Sequence, residues 1–226
     1  MTVEIAGAPR KFGRKVEHDP RSRAYGIVVN PAAPLEPRMW RSDAPVIDQG
    51  SIGMCTGAAM AQCVNAARTR DGATDGWLDV DDAVALYSRA TVLDDFPGTY
   101  PPDDTGSSGL AVSKAAVEKG MIRSYRHAFG LAQLLVALQS GPVIVGTVWR
   151  EGMCEPGPDG RLALSGDDLG GHEYTVIGCD LATVTILNSW GEGWGERGTA
   201  RISWEDMSAL LAAQGDVTVP IVGGAA

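Results

Sequence analysis

Cys55 ends the loop Gln49-Gly-Ser-Ile-Gly-Met-Cys55, and the Ala-rich run behind it, residues 56–68, has high helix propensity and stops at Asp71-Gly72. The thiol is therefore expected at a helix N-terminus. Unpaired N–H groups and the macrodipole there favour an anion, so the sequence predicts a lowered thiol pKa and a thiolate at neutral pH. Gly50 and Gly53 permit tight turns of backbone close to a bound substrate. Taken alone this signal is weak, because a cysteine opening an Ala-rich helix is more often a packed residue. A second pair lies far along the chain. His172 opens a strand-like run, and Asn188 follows sixteen residues later, a step that one strand and a hairpin partner can close.

The remaining residues of the same types have ordinary readings. His18 lies in the turn Glu17-His-Asp-Pro20 and reads as solvated, and His127 in Tyr125-Arg-His-Ala-Phe129 reads as a surface or packing residue. Cys63 and Cys179 read as small buried hydrophobes, and Cys154, in a Gly/Pro loop, has no assignable role. The four cysteines form no C-x-x-C pair, so neither a zinc cage nor a disulfide framework is expected. The acidic stretches 79–82, 94–95 and 103–104 lack the alternating oxygens and closing Glu of a calcium loop. Helix capping and solvated loops account for them, and no metal or cofactor is expected.

The elements that must position these residues fall into two regions. Residues 1–48 read as an extended segment lying along a core formed later, with at most a short strand near 25–29. Residues 49–121 read as a helical lobe: the central helix, a second over 79–93 with acidic residues at its start, and a third capped by Ser107 or Ser108 and ended by Gly120. Residues 122–226 read as a β-rich lobe, with a short helix over 131–139 and strands over 142–149, 174–178, 183–187 and 199–204. The fold class is α+β, with a cleft between the lobes.

Composition narrows the function. The 226 residues carry 44% hydrophobic content and a formal net charge of −9, which disfavours a nucleic-acid groove. The clearest basic cluster, Arg10-Lys11-Phe-Gly-Arg14-Lys15, reads as a solvated arm. No apolar run approaches the roughly 20 residues of a membrane span, and no signal peptide is seen, so a cytoplasmic or phage-associated protein without a membrane partner is expected.

Three motifs in order, Gln49-Gly-Ser-Ile-Gly-Met-Cys55, Gly170-Gly-His172-Glu-Tyr and Asn188-Ser-Trp-Gly-Glu-Gly-Trp-Gly195, resemble the papain-like cysteine peptidases. The segments 104–120 and 137–145 are similar to compact bacterial and phage members. The resemblance implies a papain-like two-lobe fold and a catalytic trio of Cys55 as nucleophile, His172 as acid and base, and Asn188 orienting the imidazole. It implies that Gln49 and the Cys55 backbone N–H form the oxyanion hole, and that Trp190 shields the His–Asn bond and borders the leaving-group side. By the same resemblance Gly146, Gly170 and Glu173 line the P2 pocket, with Gly106 and Ser107 near the substrate backbone. Its substrate class is polypeptide.

The sequence departs from that pattern at three places. Ile52 stands where a structural cysteine is usual, which fits a reducing compartment. Glu173 stands where a small residue is common; it either raises the His172 pKa, selects a basic P2 side chain, or is a solvent-facing rim residue. Fewer than fifty residues precede the nucleophile loop, so activity at synthesis is expected. Beside peptide hydrolysis, two other readings stay open: another acyl transfer, as in a cell-wall peptide amidase or transpeptidase, and a silent peptide-binding module.

Overall fold

In the computed structural model, which describes residues 2–5 and 7–223, helices and a large antiparallel sheet each bury one side against the other. The central helix α1 (Cys55–Arg70) is buried all round from Cys55 to Ala67. Its alanines and glycine let neighbouring elements approach on every face, which is why it lacks the one-sided pattern of a surface helix. Beside it pack α2 (Val80–Leu93) and α3 (Gly109–Glu118). Asp79 and Asp82 form a capping box at the start of α2, and the Ser108 hydroxyl accepts from Ala111 N–H at 2.9 Å to start α3. The acidic stretch at 79–82 is thus accounted for by helix capping. Met60, Leu86, Tyr87, Val112 and Ile144 belong to the core formed between these helices and the sheet.

A second core lies on the sheet's other side. There β4 (Ser124–Ala128), β5 (Val143–Arg150), β6 (Asp168–Cys179), β7 (Thr183–Leu187), β8 (Thr199–Ser203) and β9 (Asp216–Ile221) hydrogen-bond in the order β4-β9-β5-β6-β7-β8, and α4 (Leu131–Ala137) and α5 (Trp204–Ala212) cover them. Trp149, Tyr174, Trp190, Trp194 and Met207 fill the space between. Among the described residues no helix is long and apolar enough to cross a membrane.

Most of the elements expected from the sequence are present, with shifted ends. The 25–29 strand is not: Pro20–Tyr25 forms a 3-10 turn, and only Gly26 bridges to His127. Strands β4 and β9 and helix α5 were not anticipated. Pro220 masks β9 as a strand, yet it costs no ladder bond on the β5 side because that pairing ends at Thr218. The N-terminal stretch also contains a hairpin, β1 (Thr2–Ile5) with β2 (Ala8–Lys11), and β3 (Arg38–Met39) pairs with β6.

The tightest helix contact is at Gly57, where a Cβ would lie 2.1 Å from the Ala83 carbonyl oxygen of α2. Gly57→Ala is expected to lower stability by about 1–3 kcal/mol through overpacking. Urea unfolding followed by circular dichroism measures this, and an unchanged midpoint would contradict so close an approach.

Candidate active site

Strand pairing brings the histidine and asparagine together. Strands β6 and β7 are antiparallel, with Thr175 opposite Leu187, so His172 and Asn188 emerge near one end of the hairpin. His172 Nε2 lies 2.8 Å from Asn188 Oδ1, and that oxygen also accepts the Ser189 N–H at 2.8 Å. An atom receiving a backbone N–H must be the amide oxygen, so Nε2 carries the ring proton and Nδ1 is the basic nitrogen. Nδ1 is buried and has no hydrogen-bond partner among the described residues. Trp190 lies over the ring at 5.2 Å between centroids, and Trp149 packs edge-on at 4.8 Å. The sequence reading singled out Trp190 but missed Trp149, which faces the pair because Thr147, two residues earlier on β5, is opposite His172.

Cys55 is the first residue of α1, with Met54 at the cap position making no side-chain hydrogen bond. The thiol is fully buried. Burial pushes its pKa up to about 12, against the opposing influence of the Glu173, Gly13 and Thr56 backbone N–H groups near the sulfur. His172 is pulled down to about 4 by burial, although its bond to Asn188 works the other way. In this covered state burial thus disfavours the charged form of both groups, and works against the thiolate expected from the helix terminus. The helix terminus does favour an anion, but exclusion of water outweighs it.

Water is excluded by the chain's own N-terminal segment. Residues 10–15, expected as a solvated arm, run through the cleft between the two walls. Arg14 N–H donates to Gly171 O at 2.9 Å, Lys15 N–H to Ser107 O at 2.7 Å, and Ser107 N–H to Gly13 O at 2.8 Å. Gly13 crosses so closely that a Cβ on it would lie 1.8 Å from Gly53 O. Phe12 packs edge-on against His172 at 5.7 Å and against Trp190 at 6.2 Å. Ion pairs Arg10–Asp48, Lys11–Asp104 and Arg14–Asp216 fasten the segment, and Arg10 and Arg14 are 5% and 6% exposed. Activity at synthesis was expected from the sequence; in this structure the thiol is covered.

The other anticipated residues touch this segment. Gln49 Nε2 donates to Lys11 O at 3.0 Å and to Ile52 O at 2.8 Å, while its Oε1 accepts from Ser189 Oγ at 2.7 Å. The amide that the resemblance assigns to an oxyanion thus already holds a peptide carbonyl. Gly106 and Ser107 border Gly13 and Arg14, and Gly170 lies under Phe12. Glu173 is fully buried, which removes its rim reading. Nor does it raise the His172 pKa, which burial lowers.

Two further residues of the site, Arg14 and Asp216, escaped the sequence reading. A glycine between an aromatic and an arginine, inside a basic patch on an acidic chain, was the available signal for the first. Cys154 lies outside the site: its carbonyl accepts from Trp194 Nε1 at 2.6 Å, and its N–H donates to Glu151 O at 3.0 Å.

Gly13→Ala is expected to strain the segment off the thiol and speed alkylation of Cys55 by iodoacetamide about tenfold, the equivalent of a modest steric clash. Peptide mapping after timed labelling separates Cys55 from the half-buried Cys154. An unchanged rate at Cys55 would mean that the segment does not control access.

No family model and no curated protein matches the chain. Solved structures do. Xylellain, a cysteine protease from Xylella fastidiosa, superposes with TM-score 0.64 at 19% identity, over 94% of this chain and 96% of that one. Digestive procathepsin L 3 of Tenebrio molitor gives TM-score 0.68 at 16% identity, over 94% and 76%. A recombinant stem bromelain precursor gives 0.58 at 18%, over 92% and 75%. The chain has the papain-like α+β fold of these cysteine proteases, over nearly its whole length.

Proposed function

We propose that this protein is a cysteine peptidase that hydrolyses polypeptide substrates through a thioester, and that residues 10–15 hold it latent. The observation that carries this reading is the segment itself: a peptide bound by backbone hydrogen bonds across Cys55, with its Lys11 carbonyl on Gln49 Nε2 and His172 tied to Asn188 alongside. The same walls can take a substrate backbone. Two of the similar structures are precursor forms, a procathepsin and a bromelain precursor, which agrees with a covered site.

When the segment leaves, water returns to the cleft and the desolvation that disfavours the charged forms of Cys55 and His172 is relieved. The Cys55 proton moves to His172 Nδ1, and the α1 N-terminus stabilises the thiolate. The sulfur attacks the scissile carbonyl, and the oxyanion takes hydrogen bonds from Gln49 Nε2 and the Cys55 N–H. His172 gives its proton to the leaving amine, and the C–N bond breaks. Water then attacks the thioester with His172 as base, releasing the carboxylate and restoring the thiol. Asn188 keeps the ring in place without adding charge, and Trp190 screens that bond from water. Gly106, Ser107 and Gly170 border the substrate backbone.

In the Gly13→Ala background, Cys55→Ala is expected to abolish cleavage of a fluorogenic peptide library while leaving the melting temperature nearly unchanged. His172→Ala is expected to cost about 100-fold or more, the usual size of a general acid–base contribution, and Asn188→Ala less. Cleavage surviving in Cys55→Ala, or a larger loss at Asn188 than at His172, would overturn the assignment.

A further inference from the structure

The Ile52–Gly53 peptide, just ahead of Met54 and Cys55, is gripped at both ends. Its carbonyl accepts from Gln49 Nε2 at 2.8 Å, and its N–H donates to both oxygens of the Asp104 carboxylate at 3.1 Å. Gly53 permits that approach, because a Cβ there would sit 2.9 Å from Asp104 Oδ1. A glutamine amide carries two N–H donors. At Gln49 one is engaged by Ile52 O, and Oε1 is fixed by the Ser189 hydroxyl at 2.7 Å, so the second donor has a single direction left, in which it meets Lys11 O at 3.0 Å. The aim of the donor offered to an oxyanion therefore follows the plane of the Ile52–Gly53 peptide.

Asp104 is itself held. Tyr87, fully buried on α2, donates its hydroxyl to Asp104 Oδ1 at 2.7 Å, and the same hydroxyl accepts the Gly106 N–H at 2.8 Å. The end of α2 anchors the next residue, where Ser107 Oγ donates to Asp94 Oδ2 at 2.5 Å. Ser107 is the wall residue that exchanges backbone hydrogen bonds with Gly13 and Lys15. One carboxylate thus joins that wall to the loop carrying Gln49. The four cysteines are free, so no disulfide shares the task. Burial works against a charge on Asp104, but Lys11, Tyr87 and Gly53 outweigh it and hold its pKa below the usual carboxylate range. The covering segment meets both ends of this relay through one residue: Lys11 O lies on Gln49 Nε2, and Lys11 Nζ donates to Asp104 Oδ2 at 2.7 Å and to Asp104 O at 2.6 Å.

We infer that Asp104 is a positioning residue for the oxyanion hole: through the Gly53 N–H it fixes the peptide that aims Gln49 Nε2, and through Tyr87 it sets that donor against the Gly106–Ser107 wall. The inference rests on the peptidase reading above. Asp104 acts through other groups and touches no reacting atom. Its effect falls on the transition state, where the oxyanion forms, and leaves ground-state binding of the substrate unchanged.

The test uses the full chain in a Lys11→Ala, Gly13→Ala background, in which the segment is loosened and the Lys11 bond to Asp104 is absent from every variant compared. With a fluorogenic peptide amide, Asp104→Ala is expected to lower kcat about tenfold, part of the roughly 100-fold loss that follows removal of an oxyanion donor, with KM held within about twofold. A peptide aldehyde, whose adduct with Cys55 is tetrahedral, should bind about tenfold more weakly. Iodoacetamide, whose displacement at carbon builds no oxyanion, should alkylate Cys55 at a rate within about twofold of the background. Asp104→Asn, which keeps an acceptor for the Gly53 N–H, should recover most of the loss. If Asp104→Ala has no cooperative melting transition, Asp104→Ser is read instead. Unchanged kcat and aldehyde affinity would overturn the inference and leave the peptidase reading standing. So would equal losses of kcat and iodoacetamide rate, which mark a merely structural role, or an Asp104→Asn chain as slow as Asp104→Ala. Absence of both peptide cleavage and aldehyde binding in the background itself would overturn both.

Discussion

A peptide can be buried against the cleft only if each of its polar backbone groups is matched, and that requirement organises the site. Gly171 O, Ser107 O and N–H, and Gln49 Nε2 supply the matches for residues 11–15, one wall from the strands and the other from the loop before α3. These partners are mostly backbone, so they impose spacing without choosing side chains. The segment's side chains are engaged at the few places where they leave the backbone track: Arg14 pairs with Asp216, and Phe12 meets His172 and Trp190 beside Trp149.

The same burial sets the electrostatics. An imidazole and a thiol without water are each disfavoured in their charged forms, and a carboxylate without water is driven toward its acid form. The acidic surplus of the chain then has a local meaning: Asp48, Asp104 and Asp216 each receive a cation from the basic segment. Of the three pairs, Arg14–Asp216 is the most enclosed and is the one least screened by solvent.

The helices and most of the central strands were legible in the sequence because caps and β-branched runs act locally. Asp79 and Ser108 mark their helix starts, and 183–187 is an apolar, β-branched run. Cys55, His172 and Asn188 stood out because glycines and tryptophans surround them in a recognisable order. What the sequence hid is non-local. Asp216, Gly146 and Glu173 stand side by side only after three distant strands pair, and residues 10–15 look like a free basic arm until acidic partners 38 to 202 residues away are folded beside them. The lowered thiol pKa follows from an open helix end; in this structure a remote segment shuts out the solvent, and burial acts in the opposite direction.

The covering segment is joined to the cleft by the same chain, with residues 16–54 between it and Cys55. A tethered occupant has an effective local concentration that dilution of the protein does not change, on the order of millimolar for flexible connections and higher when the segment is held by a hairpin and ion pairs. Latency, as proposed above, then behaves as a first-order property of each molecule. Unlike a separate inhibitor, which falls away as a cell or particle empties its contents into a larger volume, this one stays in place through release and dispersal, and yields only to a competitor, a cut or a change that loosens its own anchors.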